Sequence, residues 1–161
     1  MQKQIEYAVV LIRVGECKEL YEKIKPTFDI AKGAYATELS LITNEKKLYY
    51  KIDKEDRPEA LYCIAVDKED NVLGFIFLEI DERTMTLWTS HVYVRPEVRR
   101  KGVYRLMMER VKKFAKDCKF NRVFSVVHIK NIDSNWVHRK IGFKKCWVGF
   151  EMPMENEHEN I

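Results

Sequence analysis

No hydrophobic run in this chain approaches the ~20 residues that a membrane-spanning helix needs; the longest, such as Tyr7 to Ile12 and Gly74 to Leu78, fall far short, and no membrane association is expected. No small-residue cleavage site follows the short apolar stretch beside Lys3 and Glu6, which argues against a secretory signal. Cysteine is sparse. Cys17, Cys63, Cys118 and Cys146 lie far apart without metal-ligand or redox spacing, so reduced thiols are expected. His91, His128, His138 and His158 form no helical His-x-x-x-His pair and no His/Cys knuckle, so no metal site is expected. Repeats, low-complexity segments and Gly/Ser linkers are also missing. What is present is the profile of a folded cytoplasmic protein: 161 residues, 46% hydrophobic and 34% charged, sized for one domain with a real core.

The net charge of +4 is modest, but its distribution is uneven. Glu155, Glu157 and Glu159 make the end of the chain acidic, and residues 153–161 are expected to be a flexible tail behind a domain spanning 1–152. Arg95, Arg99, Arg100, Lys101, Arg105, Arg110, Lys112 and Lys113 crowd one stretch opposed only by Glu97 and Glu109. Such a cluster reads as a solvated helix face, a nucleic-acid patch or a phosphate site, and its position in the layout bears on the choice.

Ile5 to Val14 reads as an opening strand, and Cys17 to Ile24 as a helix stopped by Pro26. Residues 27 to 59 are less legible, with one or two short helices expected around Tyr35 to Leu41. Leu61–Val66, Val72–Ile80 and Met85–Val94 then read as an antiparallel meander joined by polar turns. In the third strand the apolar positions switch from odd (Met85, Leu87) to even (Val92, Val94), which a β-bulge would produce. Val103, Leu106, Met107, Val111, Phe114, Ala115 and Cys118 follow helical spacing. A strand over Val123–Ile129, a helix over Ser134–Lys140 and a last strand near Trp147–Met152 complete a mixed α/β layer.

The segment from Val94 to Tyr104 is a strand end, a basic turn and a helix start near Gly102. Unpaired amides and the positive dipole end at a helix N-terminus attract phosphate, and Gly102 lets the backbone approach an anion. The position favours phosphate, with a solvated face as the plain alternative; no aromatic–basic interleaving supports nucleic acid. Arg99-Arg100-Lys101-Gly102-Val103-Tyr104 resembles the Q/R-x-x-G-x-G/A acyl-CoA loop of the GNAT acetyltransferase superfamily, matching at Arg99 and Gly102 and departing at Tyr104. Downstream, Asn131-Ile132-Asp133-Ser134 and His138-Arg139-Lys140-Ile141-Gly142-Phe143 resemble the family's N-x-x-A and Y-x-x-x-G-F, with Ser134 for Ala and His138 for Tyr.

The resemblance implies a GNAT-type fold: a central mixed sheet of about six or seven strands, antiparallel at first, with a splayed parallel pair and flanking helices. It implies acetyl-CoA or coenzyme A along the backbone of Val92, Tyr93 and Val94. The pyrophosphate would lie on the amides of Arg100, Lys101, Gly102, Val103, Tyr104 and Arg105, with Asn131 and Ser134 across the splay. A backbone N–H near Val92 would steady the oxyanion. His138, standing for the family's Tyr, is the expected proton donor to the leaving thiolate. Glu79 on the neighbouring strand, and His91 and Ser90 beside the bulge, are the candidate bases for the amine. Phe28, Tyr35, Tyr49 and Tyr50 fall where the family builds its acceptor pocket, though core packing explains most such aromatics. The expected activity is transfer of acetyl to a primary amine, on a small molecule or a peptide, by direct attack. The alternative is a non-catalytic acyl-CoA sensor. A homodimer is compatible, dimers being frequent in the family, although no interface is legible.

Overall fold

The computed structural model describes residues 6–44 and 56–146. Strand β1 (Tyr7–Arg13) leads into helix α1 (Lys18–Thr43), and the meander follows as β2 (Leu61–Asp67), β3 (Val72–Asp81) and β4 (Thr86–Val94). A single 3-10 turn at Pro96–Val98 precedes helix α2 (Val103–Asp117), strand β5 (Arg122–Ser125) and helix α3 (Ile132–Lys140). Among the described residues one mixed sheet has the order β1-β2-β3-β4-β5, antiparallel except for the parallel pair β4–β5. It holds five strands where six or seven were expected. The strand expected near Trp147–Met152, and the acidic tail, lie outside the described residues.

Side chains alternate across this sheet into two cores. On one face α1 sets Tyr21, Ile24, Phe28, Ala31, Tyr35 and Leu39 against Tyr62, Ile64, Phe75 and Tyr93. On the other, α2 sets Val103, Met107, Met108, Val111 and Ala115 against Leu61, Cys63, Ile76, Leu78 and Leu87. The first core is largely aromatic: Phe28 meets Tyr62 and Phe75 edge-on at 4.9 and 5.3 Å, an arrangement suited to the ring quadrupoles.

Pro26 does not stop the first helix. α1 runs straight through it to Thr43, so the short helix ending at Ile24 and the separate pieces near Tyr35 are one element. Proline removes one intrahelical hydrogen bond, but the buried stripe continues at three- and four-residue steps on both sides of it. Thr27 ties the region down, donating to the Ile24 carbonyl at 3.1 Å and accepting from the Val72 amide at 3.0 Å. Packing along six turns outweighs one missing bond.

A buried polar cluster fastens α1 to the sheet. Asp56 accepts from the hydroxyls of Tyr21 and Tyr62 and from the Lys32 ammonium, the last at 2.9 Å. The side chains of Lys32 and Asp56 are 5% and 4% exposed. Burial by itself would raise the Asp56 pKa; the hydrogen bonds from Tyr21, Tyr62 and Lys32 overcome it and hold the carboxylate below its ordinary range. No helix among the described residues is long and apolar enough to cross a membrane.

Candidate active site

Strands β4 and β5 are joined by four rungs, from Thr86–Arg122 to Thr89–Ser125, and then separate. β4 continues along β3 as far as Val94, whereas the chain after Ser125 leaves the sheet. This shortens the strand expected over Val123–Ile129 to Arg122–Ser125. The expected bulge lies on the same boundary. Phe77 pairs with His91 and Leu78 with Thr89, so Ser90 is the extra residue. It turns His91 and Tyr93 toward α1, and Val92 and Val94 toward α2. The opening bounded by these strands is lined by Tyr35, Thr89, Ser90, Val92, Ser125, Asn131, Ser134 and His138.

The N-terminus of α2 stands beside the end of β4. Its N-cap, Gly102, has φ +84°, and neither a side-chain cap nor an acidic first-turn residue satisfies the helix start. The first intrahelical bond runs from the Leu106 amide to the Gly102 carbonyl, which leaves the amides of Val103, Tyr104 and Arg105 without helical acceptors. A Cβ built on Gly102 would meet nothing within 4 Å, so this backbone faces open space. Arg100, also left-handed at φ 62°, helps to form the turn.

Much of the basic cluster is already engaged. Arg95 pairs with Glu97 at 3.1 Å, Arg105 with Glu109 at 3.2 Å and Lys113 with Asp117 at 2.7 Å. Arg99 braces the loop from behind: its Nε donates to the Val94 carbonyl at 2.9 Å, Nη2 meets Glu38 at 2.5 Å, and the guanidinium lies over the Tyr93 ring. Its side chain is thus committed to β4 and α1. Arg100 and Lys101 are exposed, with no ion-pair partner among the described residues. Tyr104 points its side chain inward to pack beside the α2 core, and only its backbone belongs to the loop.

Across the opening, α3 begins where the Asn131 carboxamide oxygen accepts from the Ser134 amide at 3.2 Å. One turn later His138 is 7% exposed, between Tyr104 and Phe143. Its Nδ1 lies 2.7 Å from the Ser134 carbonyl oxygen. That oxygen can only accept, so Nδ1 carries a hydrogen. Nε2 faces the hydroxyls of Ser125 at 2.9 Å and Tyr104 at 3.3 Å. Burial lowers the imidazole pKa and so favours the neutral ring, an effect partly offset by the bond to Ser134.

The remaining candidates lie on the α1 face. His91 stacks on Phe77 at 5.9 Å, with Nδ1 3.1 Å from the Tyr35 hydroxyl. Burial lowers its pKa, and the nearby Glu79 charge opposes the shift. Glu79 is exposed and accepts from the Ser90 hydroxyl on the bulge. Val92, Asn131, Ser134 and His138 therefore come together on the opening. Glu79 and His91 do not line it and reach it only through Ser90 and Tyr35, and the side chains of Tyr93, Arg99, Val103 and Tyr104 serve packing or bracing. Phe28 is core, Tyr35 reaches the opening, and Tyr49 and Tyr50 lie outside the described residues. Ser125 and Thr89 are not singled out by sequence reasoning. The one available signal for Ser125 is a lone hydroxyl inside the apolar run Val123-Phe124-Ser125-Val126-Val127.

Comparison with known proteins agrees with this geometry. The family model described as the acetyltransferase (GNAT) family matches residues 18–143. Comparison with curated proteins gives no match. Among solved structures, a ribosomal-protein-alanine N-acetyltransferase from Brucella melitensis biovar Abortus 2308 superposes with a TM-score of 0.68 at 16% identity, over 92% of this chain and 100% of that one. An aminoglycoside N-acetyltransferase, AAC(6')-Iy in complex with CoA, gives 0.63 at 15% identity over 97% and 99%. A nourseothricin acetyltransferase gives 0.52 at 23% identity over 62% of this chain, which spans 56% of that one. At these identities the structural likeness speaks for the fold, and the family model speaks for descent: the chain belongs to the GNAT family of acetyltransferases.

Proposed function

We propose that the protein transfers an acetyl group from acetyl-CoA to a primary amine, on a small molecule or the amino group of a peptide, by direct attack within a ternary complex. The observation that carries this reading is the splay beyond Thr89 and Ser125 opening beside the uncapped start of α2. The donor set suits a phosphorylated, amide-bearing arm. Three helix-start amides, an open Gly102 and the exposed Arg100 and Lys101 meet the needs of a pyrophosphate. β4 past its last rung offers Val92, Tyr93 and Val94 as a strand edge for an extended amide chain. Asn131 and Ser134 close the other side.

In that frame a primary amine, an ammonium ion in water, must lose one proton before it attacks. His91 and Glu79, on the α1 face behind Tyr35 and Ser90, are the groups assigned to that task. The Val92 amide is assigned to the developing oxyanion. His138, expected from the sequence to donate directly to the departing sulfur, has its Nδ1 hydrogen on the Ser134 carbonyl. It is assigned to hold the proton the sulfur needs and return it through its Nε2 neighbours. The test is thermal unfolding with and without saturating acetyl-CoA, followed by CoA release with a panel of small amines and free-amino peptides. Ligand at a hundred times its dissociation constant stabilises by about 2.7 kcal/mol, a rise of roughly 5–10 °C for a domain of this size. A rise with amine-dependent CoA release supports the enzyme. A rise without turnover supports an acyl-CoA sensor, and no rise at millimolar acetyl-CoA overturns both.

A further inference from the structure

We propose that Ser125, with its hydroxyl held by Nε2 of His138, is the residue that carries the proton from the attacking nitrogen to the departing sulfur. The inference rests on the acetyltransferase reading above and refines how His138 serves it. The Nδ1 hydrogen of His138 is committed to the Ser134 carbonyl at 2.7 Å, so a neutral imidazole has its only lone pair at Nε2 and no hydrogen there to give. His138 in this state is an acceptor, not a donor. Of the two hydroxyls that approach Nε2, Ser125 is the nearer, at 2.9 Å against 3.3 Å for Tyr104. Its hydrogen is therefore turned toward the imidazole and its oxygen lone pairs away from it. Ser125 stands on the last rung of β4–β5, at the mouth of the splay and opposite Thr89. The lowered pKa of the buried ring keeps Nε2 available near neutral pH.

The atoms balance without any further reactant. As the nitrogen lone pair becomes the new C–N bond, the nitrogen sheds a proton to Ser125 Oγ, and the hydrogen of Ser125 passes to His138 Nε2. As the C–S bond breaks, its electron pair leaves on sulfur. Ser125 then gives sulfur a hydrogen and recovers its own from Nε2. The charged imidazolium that exists between these events donates at both nitrogens, to Ser134 and to Ser125. The Ser125 hydroxyl is then free to turn; the Thr89 carbonyl at 3.4 Å already marks a second orientation. His138 acts through Ser125 and is a positioning and proton-holding residue.

The experiment compares wild type, Ser125→Ala, Ser125→Thr and His138→Gln, using acetyl-CoA and the amine of the panel that wild type turns over fastest. Expected are a fall in kcat of about 100-fold for Ser125→Ala, the scale of one lost acid–base group, with KM for acetyl-CoA and the thermal midpoint within experimental range of wild type. Ser125→Thr keeps a hydroxyl and recovers most of the rate, and His138→Gln falls with Ser125→Ala. In mixtures of light and heavy water, wild type gives a bowed rate plot from two protons in flight, and Ser125→Ala a straight one. Ser125→Ala turning over within twofold of wild type overturns the shuttle and leaves the acetyltransferase reading standing. An acetyl adduct on Ser125, seen by intact mass with acetyl-CoA alone, overturns it in favour of a covalent route. Wild type that releases CoA with no amine overturns both.

Discussion

Gly74 lies so close to β4 that a methyl group on it would sit 2.7 Å from the carbonyl oxygen of Tyr93 and 3.3 Å from the Cα of Val94. The obstacle is backbone, which cannot swing aside as a side chain end can. Gly74→Ala is expected to push β4 off β3 where Val92–Val94 would receive the pantetheine arm, costing about 1–3 kcal/mol of stability. Urea unfolding measures the cost, and isothermal titration with CoA the weakened binding. A variant as stable as wild type and binding CoA equally would show that the strand edge tolerates movement.

Gly102→Ala separates conformation from space. The methyl meets nothing, but φ +84° is costly for any residue with a Cβ. A stability loss of about 1–2 kcal/mol is expected, together with weaker acetyl-CoA binding as the methyl crowds the amides. Reversing the charges of Arg100 and Lys101 should weaken binding while leaving the unliganded midpoint nearly unchanged, because neither side chain braces the fold. The acetyl-CoA-induced rise in midpoint reads out both.

Asp56→Asn removes the charge facing the Lys32 ammonium, where both side chains are nearly inaccessible. Leaving one member of a buried pair uncompensated costs about 3–5 kcal/mol, and chemical denaturation should show a loss of that order. In wild type the folded carboxylate titrates below its ordinary 3.8. Its contribution is therefore fully present above that value and is lost as pH falls through the lower folded one. The acid limb of stability should flatten in the Asn variant.

The two buried histidines act in a higher window. Both His138 and His91 titrate below the ordinary 6.5 when folded, so the unfolded chain binds more protons between the two values. Stability is expected to be full above 6.5 and to decline as pH drops toward the folded values. His138→Gln should reduce that slope, leaving the part due to His91. Midpoints measured across the range from pH 5 to 8 test this, and an unchanged slope would place the titration elsewhere.

Much of the sheet, and the helix that starts beside it, could be read from periodicity. The apolar spacing of Val103 to Ala115 marks α2, and the parity switch between Leu87 and Val92 marks the bulge. Pro26 does not end α1 because the buried stripe continues past it to Leu39, and a local rule about one missing hydrogen bond does not contain that stripe. β5 proved short because its apolar run continues into Val126 and Val127, which periodicity cannot distinguish from more strand. The state of His138 was invisible for another reason. It depends on a carbonyl one turn back and on two hydroxyls brought from distant α2 and β5, and no local pattern encodes that meeting.

The single extra residue at Ser90 makes β4 behave like a reading frame. Upstream of it, odd-numbered side chains face α2; downstream, even-numbered ones do. Deleting Ser90 would restore regular alternation and exchange the two faces from His91 onward. A histidine and a tyrosine would be driven into the aliphatic core, and two valines would be presented to Tyr35 and its neighbours. The protein would then have to give up either the packing of one layer or the register of the other. In this fold, a one-residue deletion at position 90 should be far more damaging than replacement of the same serine by any other residue.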